Sequence, residues 1–194
     1  MRIILLGPPG AGKGTQALLL ARDGNICHIS TGDIMRKAVA SGSALGQKVK
    51  AILDAGELVP DEIVIAVIRD RLSQRDCDAG FLLDGFPRTV DQAKALTALL
   101  GEMKKPITHV IELKVPDHVL IERVKKRGEA GSGRSDDTEE VLARRLEVYW
   151  KQTAPVTSYY REIGKVIEVD GLGTVEEVHA AIMKVAQGTA SVKK

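Results

Sequence analysis

Residues Gly7-Pro8-Pro9-Gly10-Ala11-Gly12-Lys13-Gly14-Thr15 carry the clearest chemistry in the chain. They follow a short apolar run and open an amphipathic stretch, the strand–loop–helix context in which a glycine-rich pattern has meaning. Glycines let main chain wrap closely round a phosphate, so that successive N–H groups point inward as a nest. A helix beginning near Lys13 adds the positive end of its dipole. Lys13 brings a full charge to the β- and γ-phosphates of a triphosphate, with Gly10, Ala11, Gly12, Gly14 and Thr15 as main-chain or hydroxyl partners. The position directly after the lysine, where Ser or Thr is usual, holds Gly14, and Thr15 comes one later.

A second set of groups is cationic. Arg36, Arg88, Arg123, Arg127, Arg134 and Arg145 are arginines, which bind phosphate bidentately and stay charged. Arg144 reads as part of a solvated helix face. Asp84 ends an apolar run, where a carboxylate is costly without a cation nearby. No residue stands out as a general base. Transfer to a hydroxyl would need one. A nucleoside monophosphate, with a second pKa of about 6, is already anionic at neutral pH and would not. Loop, arginines and missing base together point to phosphoryl transfer onto a phosphate acceptor, where alignment and charge neutralisation dominate.

Five apolar runs would position these groups as buried strands: Ile3 to Leu6, Cys27 to Ile29, Phe81 to Leu83, His109 to Leu113 and Val166 to Val169. Helical spacing fills the intervals, as in Ile63, Ala66, Val67 and Leu72. Alternating strands and helices predict an α/β fold with a mostly parallel five-stranded sheet and helices on both faces. Two segments break the rhythm. From Thr31 to Pro60 the pattern gives two helices split by Ser41, Gly42 and Ser43. From Arg127 to Asp137 there is hardly an apolar side chain. Both are expected to bury little and to sit outside the main core.

The 194 residues suffice for one domain. With 44% hydrophobic and 28% charged residues and a net charge of +2, the composition is that of a globular protein with no demand for nucleic acid or an anionic membrane. Cys27 and Cys77 form no metal or redox motif, and His28, His109, His118 and His179 are scattered, so no zinc site is expected. The opening apolar run is too short for a signal segment, which predicts a cytoplasmic protein.

Across nearly the whole chain these features resemble the adenylate kinase family. The matching stretches are Ser30-Thr31-Gly32-Asp33, Gly56-Glu57-Leu58-Val59-Pro60-Asp61, Asp84-Gly85-Phe86-Pro87-Arg88, Arg127-Gly128-Glu129, Gly133-Arg134-Ser135-Asp136-Asp137 and the Arg145 helix, besides Gly14 in the phosphate loop. The resemblance implies a P-loop NTPase-type core (1–29, 60–125 and 137–194), a monophosphate-binding segment (30–59) and a short, zinc-free lid (126–136). It implies a monomer that acts on ATP, AMP and ADP with Mg²⁺. Lys13, Arg88, Arg127, Arg134 and Arg145 would be catalytic, and Asp84 would orient Mg²⁺-bound water. Arg123, Arg127 and Gly173 would join the loop in holding ATP. The AMP site would comprise Thr31, Arg36, Glu57, Leu58, Val59, Gly85, Phe86, Pro87, Arg88, Gln92, Arg134 and Arg145. Asp136 and Asp137 would pair with arginines in the closed lid. The family's AMP-binding forms place Thr and Gln where Thr31 and Gln92 stand, and pyrimidine-nucleotide relatives place Ala and Asn there. A UMP/CMP kinase on the same scaffold is the nearest alternative. A slow ATP-hydrolysing switch is a more distant one, and it leaves the acceptor-side arginines without a role.

Overall fold

The computed structural model describes residues 1–129 and 138–188, with side chains for all of these except residues 127–129. Its sheet has five strands: β1 Arg2–Leu6, β2 Cys27–Ser30, β3 Phe81–Asp84, β4 His109–Lys114 and β5 Val166–Asp170. Every pairing is parallel and the order is β2-β3-β1-β4-β5. The chain leaves β1 toward β2 on one side and later returns past it to β4. The carboxyl end of β1 is therefore the switch point where open α/β sheets bind ligands.

Parallel strands are covered on both faces, and here the two faces divide the strand residues by alternation. Ile3, Leu5, Leu82, Ile111 and Leu113 pack on α1 (Lys13–Gly24), α6 (Asp117–Glu129) and α9 (Val175–Ala186) through Ala17, Leu20, Leu120, Val178 and Ile182. Ile4, Leu6, Ile29, Leu83 and Val110 face α4 (Asp61–Leu72), α5 (Val90–Glu102) and α8 (Ala154–Glu162) through Ile68, Ala93, Leu96, Val156 and Tyr160. Alternate residues of one strand thus serve two cores. A π turn, Tyr149–Thr153, joins α7 (Glu139–Val148) to α8 without a break.

Each strand extends one residue beyond its apolar run. The added residues are Arg2, Ser30, Asp84, Lys114 and Asp170. Ladder pairing is a main-chain property, and Ser30 pairs with Asp84 and Lys114 with Asp170 although their side chains are polar. This extension puts Ser30 and Asp84 side by side at the carboxyl edge, next to the start of the glycine-rich loop.

The segment from Thr31 to Pro60 departs from expectation. It folds as α2 (Thr31–Ala40) and α3 (Ala44–Asp54), each begun by a serine side chain that accepts a main-chain N–H. Far from burying little, it places Met35 and Val49 at 2% and 0% exposure in the same core as β3 and α4. Ile34 and Val39 of α2 and Leu45, Ile52 and Leu53 of α3 pack against the same cluster. Where α2 and α3 meet, a Cβ on Gly46 would stand 2.0 Å from the Ala38 carbonyl oxygen, so the contact there is main chain against main chain.

Candidate active site

The glycine-rich loop leaves β1 and closes into the start of α1. Gly10 and Gly12 adopt φ of 85° and 92°, the left-handed region that favours glycine. Their surroundings differ. A Cβ on Gly10 would lie 3.0 Å from the Leu120 carbonyl oxygen, whereas one on Gly12 would meet nothing within 4 Å. Gly10 therefore seats the loop on α6, and Gly12 leaves its own flank open. Gly12 is also the residue that caps α1, and as a glycine it offers no side-chain acceptor to the helix start. The first N–H groups of α1 are thus oriented for an anion. The Lys13 ammonium donates to the carbonyls of Gly7 at 2.7 Å and Pro8 at 2.9 Å, folding over the loop. Ala11 is buried, and Gly14 and Thr15 are exposed.

Asp84 reaches the same place from β3. Its Oδ2 lies 3.8 Å from where a Cβ on Gly14 would stand, so the missing side chain of Gly14 leaves room between carboxylate and loop. A hard oxygen donor set back from a phosphate cradle suits Mg²⁺ held through water. His28, which sequence reasoning passed over, brings its Nε2 to 3.7 Å from that oxygen. That nitrogen is buried without a hydrogen-bond partner. Strand order was the missing signal, because β2 lies directly against β3.

Past Asp84 the chain turns through Gly85 and a cis Phe86–Pro87 bond to Arg88. Thr31, Glu57, Leu58, Val59, Gly85, Arg88 and Gln92 line one cleft of about 360 Å³, open to solvent, with Met35, Leu53 and Val64 as its apolar wall. Phe86 and Pro87, expected in the AMP site, are buried, Phe86 inside the core. The bulky ring has apolar neighbours there, and Gly85 turns the main chain toward the cleft in its place. The Thr31 hydroxyl donates to the Gly85 carbonyl at 2.9 Å. Arg88 donates from Nε to that same carbonyl at 2.7 Å. Burial pulls the Arg88 guanidinium below its ordinary pKa, Asp84 opposes the shift, and Arg36 adds to it. Arg36 is hydrogen-bonded to Asp33 and fits beside Gly32, where a Cβ would come within 3.1 Å of its guanidinium. The structure thus brings both Arg36 and Asp84 within electrostatic reach of Arg88.

The loop after β5 is tied to the same edge. Arg123 donates to the Gly171 carbonyl at 2.8 Å, and a Cβ on Gly171 would lie 3.8 Å from the Ala11 oxygen. Gly173 follows, packed so close to Glu177 that a Cβ would come within 2.9 Å of its carboxylate. Arg145 does not line the cleft. Its Cγ lies 3.3 Å from the Cβ position of Gly56, at the entrance to the Glu57–Val59 stretch. Arg144, discounted from sequence, reaches across to Glu57 with Nε at 2.8 Å and Nη2 at 2.5 Å. The Arg127 side chain, Arg134, Asp136 and Asp137 lie outside the described residues.

At the opposite, amino edge of the sheet, Cys27 and Cys77 stand with sulfurs 2.7 Å apart, and Asp76 lies beside them. Fifty positions of separation hid this grouping from sequence inspection. Burial pushes both thiols up. Both Asp76 oxygens accept from Arg71, at 2.8 and 2.6 Å. The carboxylate already has its cation.

Comparison with known proteins gives one answer. The family model for adenylate kinase matches residues 5–165. A protein of Caulobacter sp. (strain K31) named adenylate kinase is 54% identical over 182 residues, covering 94% of this chain and 96% of its own length. Proteins of that name from Leptospira biflexa serovar Patoc (strain Patoc 1 / Ames) and Stenotrophomonas maltophilia (strain R551-3) are 49% and 45% identical, each covering 94% or more of this chain and 98% or more of itself. A glycine cradle and a cleft bearing Arg88 on one sheet edge are thus accompanied by relatedness along almost the full length, and the chain belongs to the adenylate kinase family.

Proposed function

We infer that this chain catalyses reversible transfer of the γ-phosphoryl group from MgATP to AMP, giving two ADP. The supporting observation is that two phosphate-directed sites share one sheet edge, with only the Asp84–Gly85 turn between them. On one side are the loop amides and Lys13. On the other is the cleft with Arg88, Thr31 and Gln92.

In this reading the helix-start N–H groups and Lys13 hold the triphosphate, and Arg123 with the Gly171–Gly173 loop borders the adenine. Arg88 and Arg36 hold the acceptor phosphate, whose oxygen is already anionic and needs no base. Half-buried guanidinium groups act in a medium less screening than water, which strengthens their hold on developing charge. Asp84 fits the role of anchoring a hydrated Mg²⁺, and the ion when bound would neutralise charge on the transferring phosphates. Residues 30–59 form the monophosphate-binding segment and 126–136 the lid, between core segments 1–29, 60–125 and 137–194. Arg127, Arg134 and Arg145 complete the clamp, and Asp136 and Asp137 pair with arginines on closure. Closure would exclude water as a competing acceptor. The enzyme is read as a cytoplasmic monomer acting on free nucleotides. Among the described residues no helix is long and apolar enough to cross a membrane.

The test is to supply ADP and Mg²⁺ alone and follow nucleotides by chromatography. Equal ATP and AMP are expected. Intact ADP would overturn the adenine acceptor assignment, and free phosphate would overturn the kinase reading. Thr31 and Gln92 on the cleft argue against a UMP/CMP kinase, as do the family and its relatives.

A further inference from the structure

Gln92 is 2% exposed and forms part of the cleft wall. Its side-chain amide has two ends of opposite character, an accepting oxygen and a donating nitrogen. Oε1 accepts from the Arg88 main-chain N–H at 2.7 Å, and Nε2 donates to Asp61 Oδ1 at 2.6 Å. Neither neighbour can change roles, since a main-chain N–H only donates and a carboxylate only accepts. A flipped amide would lose both bonds and set oxygen against carboxylate and N–H against N–H. Asp61 is itself held, because the Thr89 hydroxyl donates to its other oxygen at 3.3 Å. That hydroxyl also caps α5 by accepting from the Gln92 N–H at 3.1 Å.

Each end of the amide keeps a second valence, a lone pair on Oε1 and a hydrogen on Nε2. A purine with a 6-amino group and an unprotonated N1 donates to the first and accepts from the second. A 6-oxo purine presents the reverse pattern and needs the flipped amide. We propose that Asp61 is the positioning residue for acceptor-base selection: by fixing the Gln92 amide it admits a 6-aminopurine monophosphate and rejects the 6-oxo analogue. Asp61 acts through Gln92, and discrimination comes as much from the repulsion in the wrong pairing as from attraction in the right one. This inference rests on the AMP-cleft reading given above.

The test compares AMP with IMP, which differ at the 6-position and N1 and little in size, as phosphoryl acceptors from MgATP. The unmodified protein should favour AMP in kcat/KM by roughly 10³-fold or more, since a site built to hydrogen-bond one pattern leaves polar groups unpaired with the other. Asp61→Asn removes the repulsion at the Asp61 end, leaves the weaker opposition of the Arg88 N–H, and can still accept from Gln92. It should keep AMP turnover within about threefold and raise kcat/KM for IMP at least tenfold, chiefly through KM, a gain that damage to the fold would not produce. An unmodified protein that uses IMP within about tenfold of AMP would overturn the proposal without any variant. So would Asp61→Asn with an unchanged AMP-to-IMP ratio, or with both rates reduced in parallel. Gln92→Ala separates the two readings. A raised KM for AMP with an unresponsive Asp61→Asn overturns only the role of Asp61, and an unchanged KM overturns the cleft assignment with it.

Discussion

The donor cradle and the acceptor cleft sit on one sheet edge and are built from different materials. The cradle is main chain, with N–H groups at a helix start and glycines whose worth lies in what they lack. The cleft is side chain, with Gln92, Arg88 and Thr31 each held by a specific partner. A main-chain site is set by torsion and room, so few sequences can make it and it is easy to recognise. A side-chain site is set by what holds the functional group from behind, and that support can come from anywhere in the chain.

The largest expected effect lies on the acceptor side. Arg88→Ala should lower turnover by about 10³-fold or more, equivalent to about 4 kcal/mol of transition-state stabilisation, in a protein with an unaltered circular dichroism spectrum. Near-normal turnover would break the comparison, since the cleft would then matter only for binding. On the donor side, Gly10→Ala and Gly12→Ala share an unfavourable torsion, and only Gly10 also lacks room. We expect kcat/KM for ATP to fall by roughly ten- to a hundredfold for Gly10→Ala and several-fold less for Gly12→Ala, at about 1–2 kcal/mol of torsional cost for each. Equal losses would mean that torsion alone decides. Gln92→Ala should raise the KM for AMP about tenfold while the ATP constant stays within about twofold, measured by separate titrations. A matching loss for ATP would show that the two sites are not separable. Arg144→Ala should do least. Its guanidinium reaches Glu57, but the pair is exposed and screened, and turnover should stay within about twofold at physiological salt.

What the sequence made legible follows the same division. The cradle could be read residue by residue because Gly, Lys and helix start are local to one another. The five strands were visible as apolar runs, short by one residue wherever a polar side chain ended a run whose main chain stayed paired, as at Ser30 and Asp84. The Thr31–Pro60 segment was underestimated because its apolar residues, Met35 and Val49 among them, are spread over two helices with no strand-like run and meet the core only through helix packing. Asp61 was visible only as the end of a matching stretch and Thr89 gave no signal; that they hold Gln92 depends on α4 and α5 lying side by side. The Arg144–Glu57 contact and the Cys27–Cys77 neighbourhood were equally silent, spanning separations of 87 and 50 residues.

The crossing of α2 and α3 carries a mechanical corollary. At Gly46 no side chain intervenes, and carbonyl and Cβ position are too close for anything larger than hydrogen. Beside the turn the two helices therefore have no layer of side chains to shear. At that point one cannot slide past the other, and a displacement of α2 is passed directly to the start of α3. The hairpin is a stiff lever whose bending must fall at its two attachments, the Ser30–Thr31 junction and the Gly56–Pro60 stretch. Both attachments border the acceptor cleft, so a small rotation at either one changes the width of its mouth.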